Sequence, residues 1–180
     1  LCSKSKLSKI ENDLLQPDIF LAEALLQRLG ISERVLTFWG NERESELYEL
    51  KFKLINSDPH DFSLQNELLA SFKLLQPSDN IVARQFYLFS TSILEQNPNK
   101  CISLLYEALH CTIPDFDIAQ ISHYRLSWNE LSILNNIAHQ YRLTNTPYVG
   151  SQILQNIIQY CSYAYTDILF SKTFSSISMY

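Results

Sequence analysis

Glycine and proline are scarce in this sequence, with only 3 glycines and 6 prolines among 180 residues. A β-sandwich needs frequent turns and nucleotide-binding folds need glycine-rich loops, so both classes are disfavoured. No apolar run approaches the about 18 residues that a transmembrane helix requires. The first residues also lack the charged and then apolar segments of a signal peptide. We therefore expect a cytoplasmic protein that does not contact a membrane.

Cysteine and histidine are few and widely spaced. The cysteines, Cys2, Cys101, Cys111 and Cys161, form no CxxC pair, so a zinc site is not expected. The histidines form no HxxxH motif, and neither a nucleophile elbow nor a phosphate-binding loop is present. The sequence therefore predicts no metal, no cofactor and no enzymatic activity.

Acidic residues outnumber basic ones in the chain as a whole, but not at its start. The formal net charge is -5, yet Lys4, Lys6 and Lys9 all precede the first of the 19 acidic residues. An acidic surface repels the phosphates of DNA. Any contact with DNA must therefore come from this short basic segment.

Apolar residues follow a helical period along most of the chain. Leu25 and Leu29 lie one turn apart, and Gly30 then supplies a helix stop. Ser127 and Glu130 form the sequence of a capping box. No sustained strand alternation occurs, which predicts an all-α fold. The predicted helices lie at 21–29, 33–39, 47–55, 62–75, 80–96, 100–112, 128–143 and 147–163, and a further one begins at 167.

The spacing of these helices indicates how they are arranged. Short loops between long helices are typical of antiparallel helix pairs. The pair built on 83–88 and 104–109 resembles the pair built on 133–141 and 153–160, and such repetition predicts a helical solenoid with a concave surface. An irregular helical bundle is the alternative. Ser78 or Asp79 is expected to cap the helix at 80–96, which Asn97 and Pro98 should end.

A specific motif covers about the first 32 residues. Residues 5–12 read SKLSKIEN, Pro17 follows, and residues 21–32 read LAEALLQRLGIS. In order and spacing this resembles the second half of a lambda-repressor-like (Xre-type) helix-turn-helix domain, whose recognition helix ends in Ile/Leu-Glu-Asn-Gly. Asp13 stands where that family has glycine. The resemblance implies that residues 1–40 are the C-terminal part of such a domain, and its first two helices are expected upstream or lost.

The same resemblance implies which residues touch DNA. A recognition helix reads base edges in the major groove with its N-terminal residues, and lysine can donate to guanine. Ser3 is the N-cap or a phosphate contact, while Leu7 and Ile10 face the core. An ordinary solvated lysine face is the alternative. The implied contacts are Ser3, Lys4, Ser5, Lys6 and Lys9.

Three segments of the body carry a second, softer resemblance. Residues 105–109 read LYEAL, residues 112–117 read TIPDFD, and residues 126–138 continue the pattern. They look like the sensor domains of Gram-positive regulators that respond to short signalling peptides. This implies that residues 41–180 form a tetratricopeptide-like sensor domain, preceded by the last helices of the helix-turn-helix domain. It also implies a homodimer on paired DNA half-sites.

Polar residues beside the apolar stripe of the helix at 128–143 are candidates for peptide contact. Asparagine offers a donor and an acceptor to a peptide backbone, and arginine can hold a carboxylate by two bonds. Ordinary solvent exposure is the alternative for each of them. The candidate peptide-binding residues are Asn66, Arg84, Gln85, Asn135, Asn136 and His139.

These observations together predict a DNA-binding transcriptional regulator whose helical-repeat domain binds a signalling peptide or a protein partner. The alternative is a helical-repeat adaptor for protein–protein interaction that does not bind DNA. An upstream helix of the Gln-Xaa-Xaa-Leu-Ala type would favour the regulator.

Overall fold

The computed structural model describes residues 1–31, 41–58 and 60–164. These ranges contain eight α-helices, one 3-10 helix and no strand, so the all-α prediction is confirmed. The helices expected at 33–39 and from 167 onward lie outside the described residues. The helices are α1 Lys4–Glu11, α2 Ile19–Arg28, α3 Glu42–Asn56, α4 Phe62–Leu75, α5 Ile81–Leu94, α6 Pro98–Thr112, the 3-10 helix Ile118–His123, α7 Trp128–Arg142 and α8 Pro147–Ala164.

Helices α5 and α6 form an antiparallel pair. The Gln85 amide, near the start of α5, donates to the Ala108 carbonyl in the second half of α6 at 3.1 Å. The Cys101 thiol, near the start of α6, donates to the Ser92 carbonyl near the end of α5 at 3.2 Å. Contacts between opposite ends of two consecutive helices require the chain to reverse between them.

Helices α7 and α8 form a second antiparallel pair. The Leu126 N–H, just before α7, donates to the Tyr160 hydroxyl near the end of α8 at 3.0 Å. At the other end, Gly150 lies so close to α7 that a Cβ on it would be 2.3 Å from the Ala138 carbonyl oxygen. Glycine therefore sets the distance between these two helices. The antiparallel pairs are observed, and the tetratricopeptide-like curvature stays a prediction.

The N-cap of α5 differs from the predicted one. The Asn80 side-chain oxygen accepts from the Ala83 N–H at 3.0 Å. Capping by Ser78 or Asp79 was therefore the wrong expectation, since three consecutive residues all suit an N-cap and only the backbone geometry selects one.

The Asn97-Pro98 dipeptide opens α6 rather than ending α5. Helix α5 already ends at Leu94, and the Asn97 side chain accepts from the N–H groups of Asn99 and Lys100. Proline is favoured at the first helical position because that N–H would have no partner in any case. The dipeptide was correctly read as a boundary and assigned to the wrong helix.

Two hydrophobic clusters fill the body, one centred on α6, α7 and α8 and the other joining α2 to α3, α4 and α5. In the second cluster the Phe20 ring of α2 meets the Tyr48 and Phe72 rings edge-on, with centroids 6.5 and 6.0 Å away. Helix α2 thus shares a core with helices that follow residue 40. The division of the chain at residue 40 stays a prediction.

None of the helices in the ranges 1–31, 41–58 and 60–164 combines the length and the apolar character needed to cross a bilayer.

Candidate functional site

Helix α1 presents its basic residues to solvent. The Ser3 hydroxyl caps the helix by accepting from the Lys6 N–H at 3.1 Å, which confirms the predicted N-cap. Lys4, Ser5 and Lys6 are exposed in the first turn, and Lys9 is exposed one turn later. The first turn contains no acidic residue. The five implied DNA contacts therefore lie together on one short helix.

Helix α1 ends in a left-handed turn at Asp13. Asp13 adopts φ +57°, the left-handed conformation that glycine favours, at the position where the family has glycine. Its N–H donates to the Ile10 carbonyl, and the Leu14 N–H donates to the Lys9 carbonyl at 2.8 Å. This bond pattern is a Schellman motif, and aspartate is one of the few other residues that tolerate it.

The apolar side of α1 is only partly covered. Leu7 and Ile10 are half-buried, Leu14 is 76% exposed, and the helix contains no buried residue. Leu7 and Ile10 thus face the interior only in part, so α1 packs weakly against the rest of the molecule.

Helix α2, in contrast, is fixed to the body by a buried carboxylate. Glu130 of α7 is 0% exposed and accepts from Arg28 Nη2 of α2 at 2.5 Å, from the Thr112 hydroxyl at 2.5 Å and from the Ser127 N–H at 2.6 Å. The Gln85 amide donates to Thr112 at 2.7 Å. We call these five residues the Glu130 cluster. It joins α2, α5, α6 and α7.

A second buried ion pair joins α2 to α3. Lys51 donates to the Glu23 carboxylate, and both side chains are buried. The Lys51 ammonium also lies 5.5 Å from the Phe20 and Tyr48 ring centroids and 5.8 Å from that of Phe86. Aromatic faces stabilise a desolvated cation. One partly buried and one buried ion pair therefore hold α2 to α7 and α3.

The peptide-binding candidates on α7 lie on its accessible side. Asn135 is half-buried, and within the described ranges its side chain forms no hydrogen bond. Asn136 is also half-buried, but its amide donates to the Ser132 carbonyl one turn earlier at 2.9 Å. His139 is exposed. Of the three, Asn135 is the one whose amide is available to a ligand.

The remaining candidates are dispersed over α4 and α5. Asn66 is exposed and donates to the Phe62 carbonyl of its own helix at 2.6 Å. Arg84 is exposed and pairs with Glu107 at 2.9 Å.

The prediction that Gln85 contacts a peptide is wrong. It is only 2% exposed, and its amide donates to Ala108 and Thr112 inside the body. A side chain so placed cannot line a ligand groove, because the apolar period of α5 turns Gln85 inward although its neighbour Arg84 faces water. Gln85 is a structural residue of the Glu130 cluster.

Two cavities of the described residues lie elsewhere. One of about 620 Å³ lies between the 3-10 helix and α8, and one of about 370 Å³ lies beside α1 and α2, where Lys6 is among its lining residues. The six peptide-binding candidates line neither cavity. Sequence reasoning missed the larger cavity because its walls are 30 residues or so apart in the chain. The usable signal was a lack of acidic residues from 118 to 166, where Glu130 is the single exception.

Burial suppresses the chemistry of the thiols. It raises the pKa of Cys161 to about 11 and also raises the pKa of Cys101 and of Cys111. Thiols with such pKa values are protonated near neutral pH and are poor nucleophiles or metal ligands. In the described part of the chain, no three His, Cys, Asp or Glu side chains are grouped as a metal site would require.

Comparison with known proteins adds no relative. No family model, curated protein or solved structure matches this chain. The functional argument therefore rests on the residues and their geometry.

Proposed function

We propose that this protein is a DNA-binding transcriptional regulator in which α1 contacts DNA and the helical body controls α1 through α2. The observation that carries the proposal is the exposure of Lys4, Ser5, Lys6 and Lys9 on one capped helix of an otherwise acidic chain.

Electrostatics support a contact between α1 and an anion. The N-terminus of a helix carries a partial positive charge, so lysines in the first turn are unfavourable in the free protein. Lys4 and Lys6 both lie in that turn, and no acid offsets them there. A DNA phosphate would interact favourably with the helix end and with both ammonium groups, and the lysines would then reach base edges in the major groove.

Helix α2 supports a role for the body in positioning α1. Only residues 12–18 separate α1 from α2. Arg28 and Glu23 anchor α2 to α7 and α3. A movement of α7 would therefore displace α2 and, with it, the C-terminal end of α1.

The proposed regulator binds a short peptide or a protein partner on the accessible side of α7. Asn135 supports this placement because its amide has no partner among the described residues, while Asn136 and His139 flank it. Homodimerisation on paired half-sites is part of the same proposal, since it follows from the helix-turn-helix resemblance, and so is a cytoplasmic location.

Selection of DNA from a random library tests the proposal. The gene product, at the length its reading frame encodes, should enrich one common sequence over several rounds at fixed salt. Enrichment that a Lys4→Ala, Lys6→Ala double variant retains would contradict a role for α1.

A helical-repeat adaptor is the second candidate, and one observation favours it. Phe52 and Ile55 lie one turn apart on α3 and are 63% and 61% exposed, and Phe62 at the start of α4 is exposed as well. Exposed apolar residues of this size mark protein interfaces when they are contiguous. Failure to enrich any DNA sequence would favour this candidate.

A further inference from the structure

The 620 Å³ cavity beside α8 has the size of a small-molecule site. One wall is the connecting segment between α6 and α7, and the other is the second half of α8. The first wall includes Ile121, His123 and Arg125, and the second includes Asn156, Gln159 and Tyr160.

Hydrogen bonds hold both walls in place. The Tyr160 hydroxyl accepts from the Leu126 N–H at 3.0 Å and so ties α8 to the connecting segment. The Tyr124 hydroxyl accepts from the Asp117 N–H at 3.1 Å and donates to the Asp115 carbonyl at 3.0 Å. A cavity whose walls are already fixed loses little conformational entropy when a ligand enters.

The charge around the cavity is unlike that of the rest of the chain. Residues 118–166 contain one acidic residue, Glu130, although the whole chain has 19. Glu130 is fully buried and paired with Arg28, so it presents no negative charge to the surface. The lining residues include none with a carboxylate and include Arg125 and His123. The cavity therefore favours an anionic ligand.

Three polar side chains that line the cavity have no partner among the described residues. In the part of the chain that the structure describes, Arg125 forms no ion pair or hydrogen bond through its side chain, and neither do Asn156 and Gln159. The planar fork of an arginine matches the two oxygens of a carboxylate. Each amide supplies a donor and an acceptor.

We propose that this cavity binds a ligand with a free carboxylate, which Arg125 holds while Asn156 and Gln159 hydrogen-bond to the polar groups next to it. The carboxylate belongs either to a small organic acid or to the end of a short peptide. The inference goes beyond the proposed function, since Asn135 does not line this cavity and the inference does not depend on DNA binding.

Isothermal titration calorimetry at one low salt concentration tests it, with N-acetyl-alanyl-alanine, its C-terminal amide, succinate and inorganic phosphate as probes. We expect one of the two carboxylates to bind. Binding of N-acetyl-alanyl-alanine would identify the end of a peptide as the ligand, and binding of succinate would identify a small organic acid. The amide should bind about tenfold more weakly or worse, because the charged hydrogen bonds to Arg125 are lost. Arg125→Gln should lower the affinity for the carboxylate that binds by a similar factor, and Asn156→Ala should lower that affinity less.

Arg142→Gln is the matched control, since Arg142 is an exposed arginine of α7 that does not line this cavity. It should leave the affinity unchanged, with circular dichroism verifying that each variant is folded. The proposal is overturned if neither carboxylate binds, if the amide binds equally well, if phosphate binds more tightly than both carboxylates, or if Arg142→Gln weakens binding as much as Arg125→Gln. None of these measurements uses DNA, so a negative result is distinct from a failure of the role proposed for α1.

Discussion

Replacing Gly150 of α8 with alanine should push α8 away from α7. A Cβ there would lie 2.3 Å from the Ala138 carbonyl oxygen, and backbone cannot rotate away as a side chain can. Gly150→Ala should therefore lower the free energy of unfolding by roughly 1–3 kcal/mol, as overpacking does. Urea denaturation measures this loss.

Gly30→Asn is the control for that substitution. Gly30 has φ +73° and open space around it, and asparagine tolerates the left-handed region. The control should change stability little. A Gly150→Ala variant as stable as wild type would mean that α7 and α8 do not approach each other so closely.

The two arginine–glutamate pairs of the described residues should differ widely in their effect on stability. Arg28→Ala leaves the buried Glu130 carboxylate without its counter-ion, which should cost about 3–5 kcal/mol. Arg84→Ala removes a pair whose side chains are 54% and 50% exposed, and it should cost less than about 1 kcal/mol. Chemical denaturation of both variants at pH 7 compares them, and similar losses would argue against a buried Glu130 cluster.

Burial of the Cys161 thiol predicts a loss of stability in alkaline solution. Its pKa rises from the ordinary 9.0 to about 11 because burial disfavours the thiolate. Stability from this group is fully present below pH 9 and is lost as pH rises toward 11, by up to roughly 2 kcal/mol. Urea midpoints from pH 8 to 11 should fall less steeply for Cys161→Ala, and an unchanged slope would contradict the prediction.

Single residues also show what the sequence could and could not predict. The Ser127–Glu130 capping box was predicted and is present, since it is encoded within four residues. The other partners of Glu130, such as Arg28 and Thr112, could not be predicted because they come from distant segments and meet only after the helices pack. Gln85 was misplaced for the same reason.

At the scale of elements, α1 and α2 should differ in dynamics. Helix α1 has eight residues and none of them is buried, whereas α2 contributes Phe20 to a core cluster and forms ion pairs with two buried residues, Glu130 and Lys51. Short helices without tertiary packing are marginally stable. Hydrogen exchange should therefore find α1 amides nearly unprotected and α2 amides protected like those of α5. Exchange of α1 and α2 together as one unit would instead favour a separate module that ends near residue 40.

The helices themselves were largely predictable, and their connections were less so. Helix α4 spans Phe62–Leu75, the range that its apolar stripe predicted. The 3-10 helix between α6 and α7 was not foreseen, because its six residues are too few for a periodic pattern to emerge. Asp117 caps that helix, its side chain accepting from the Ala119 N–H at 2.9 Å.

At the scale of the whole molecule, acidic and basic residues are unevenly distributed. Basic residues outnumber acidic ones in α1, while the segment from the 3-10 helix to the end of α8 has almost no acidic residues. The first feature was read from the sequence as a DNA contact. The second became informative only when the fold brought Arg125 and α8 to one cavity, because a lack of acids has no meaning until its surface is known.

The central claim is that α1 recognises DNA, and one measurement tests it most directly. This is the ratio of affinities for a selected sequence and for a scrambled duplex, at fixed salt, for wild type, Lys6→Ala and the control Lys100→Ala on α6. Lys6→Ala should cost about 1–3 kcal/mol on the selected sequence and less on the scrambled one, if Lys6 reads a base. Lys100→Ala should leave the ratio unchanged. An unaltered ratio in Lys6→Ala would contradict the account.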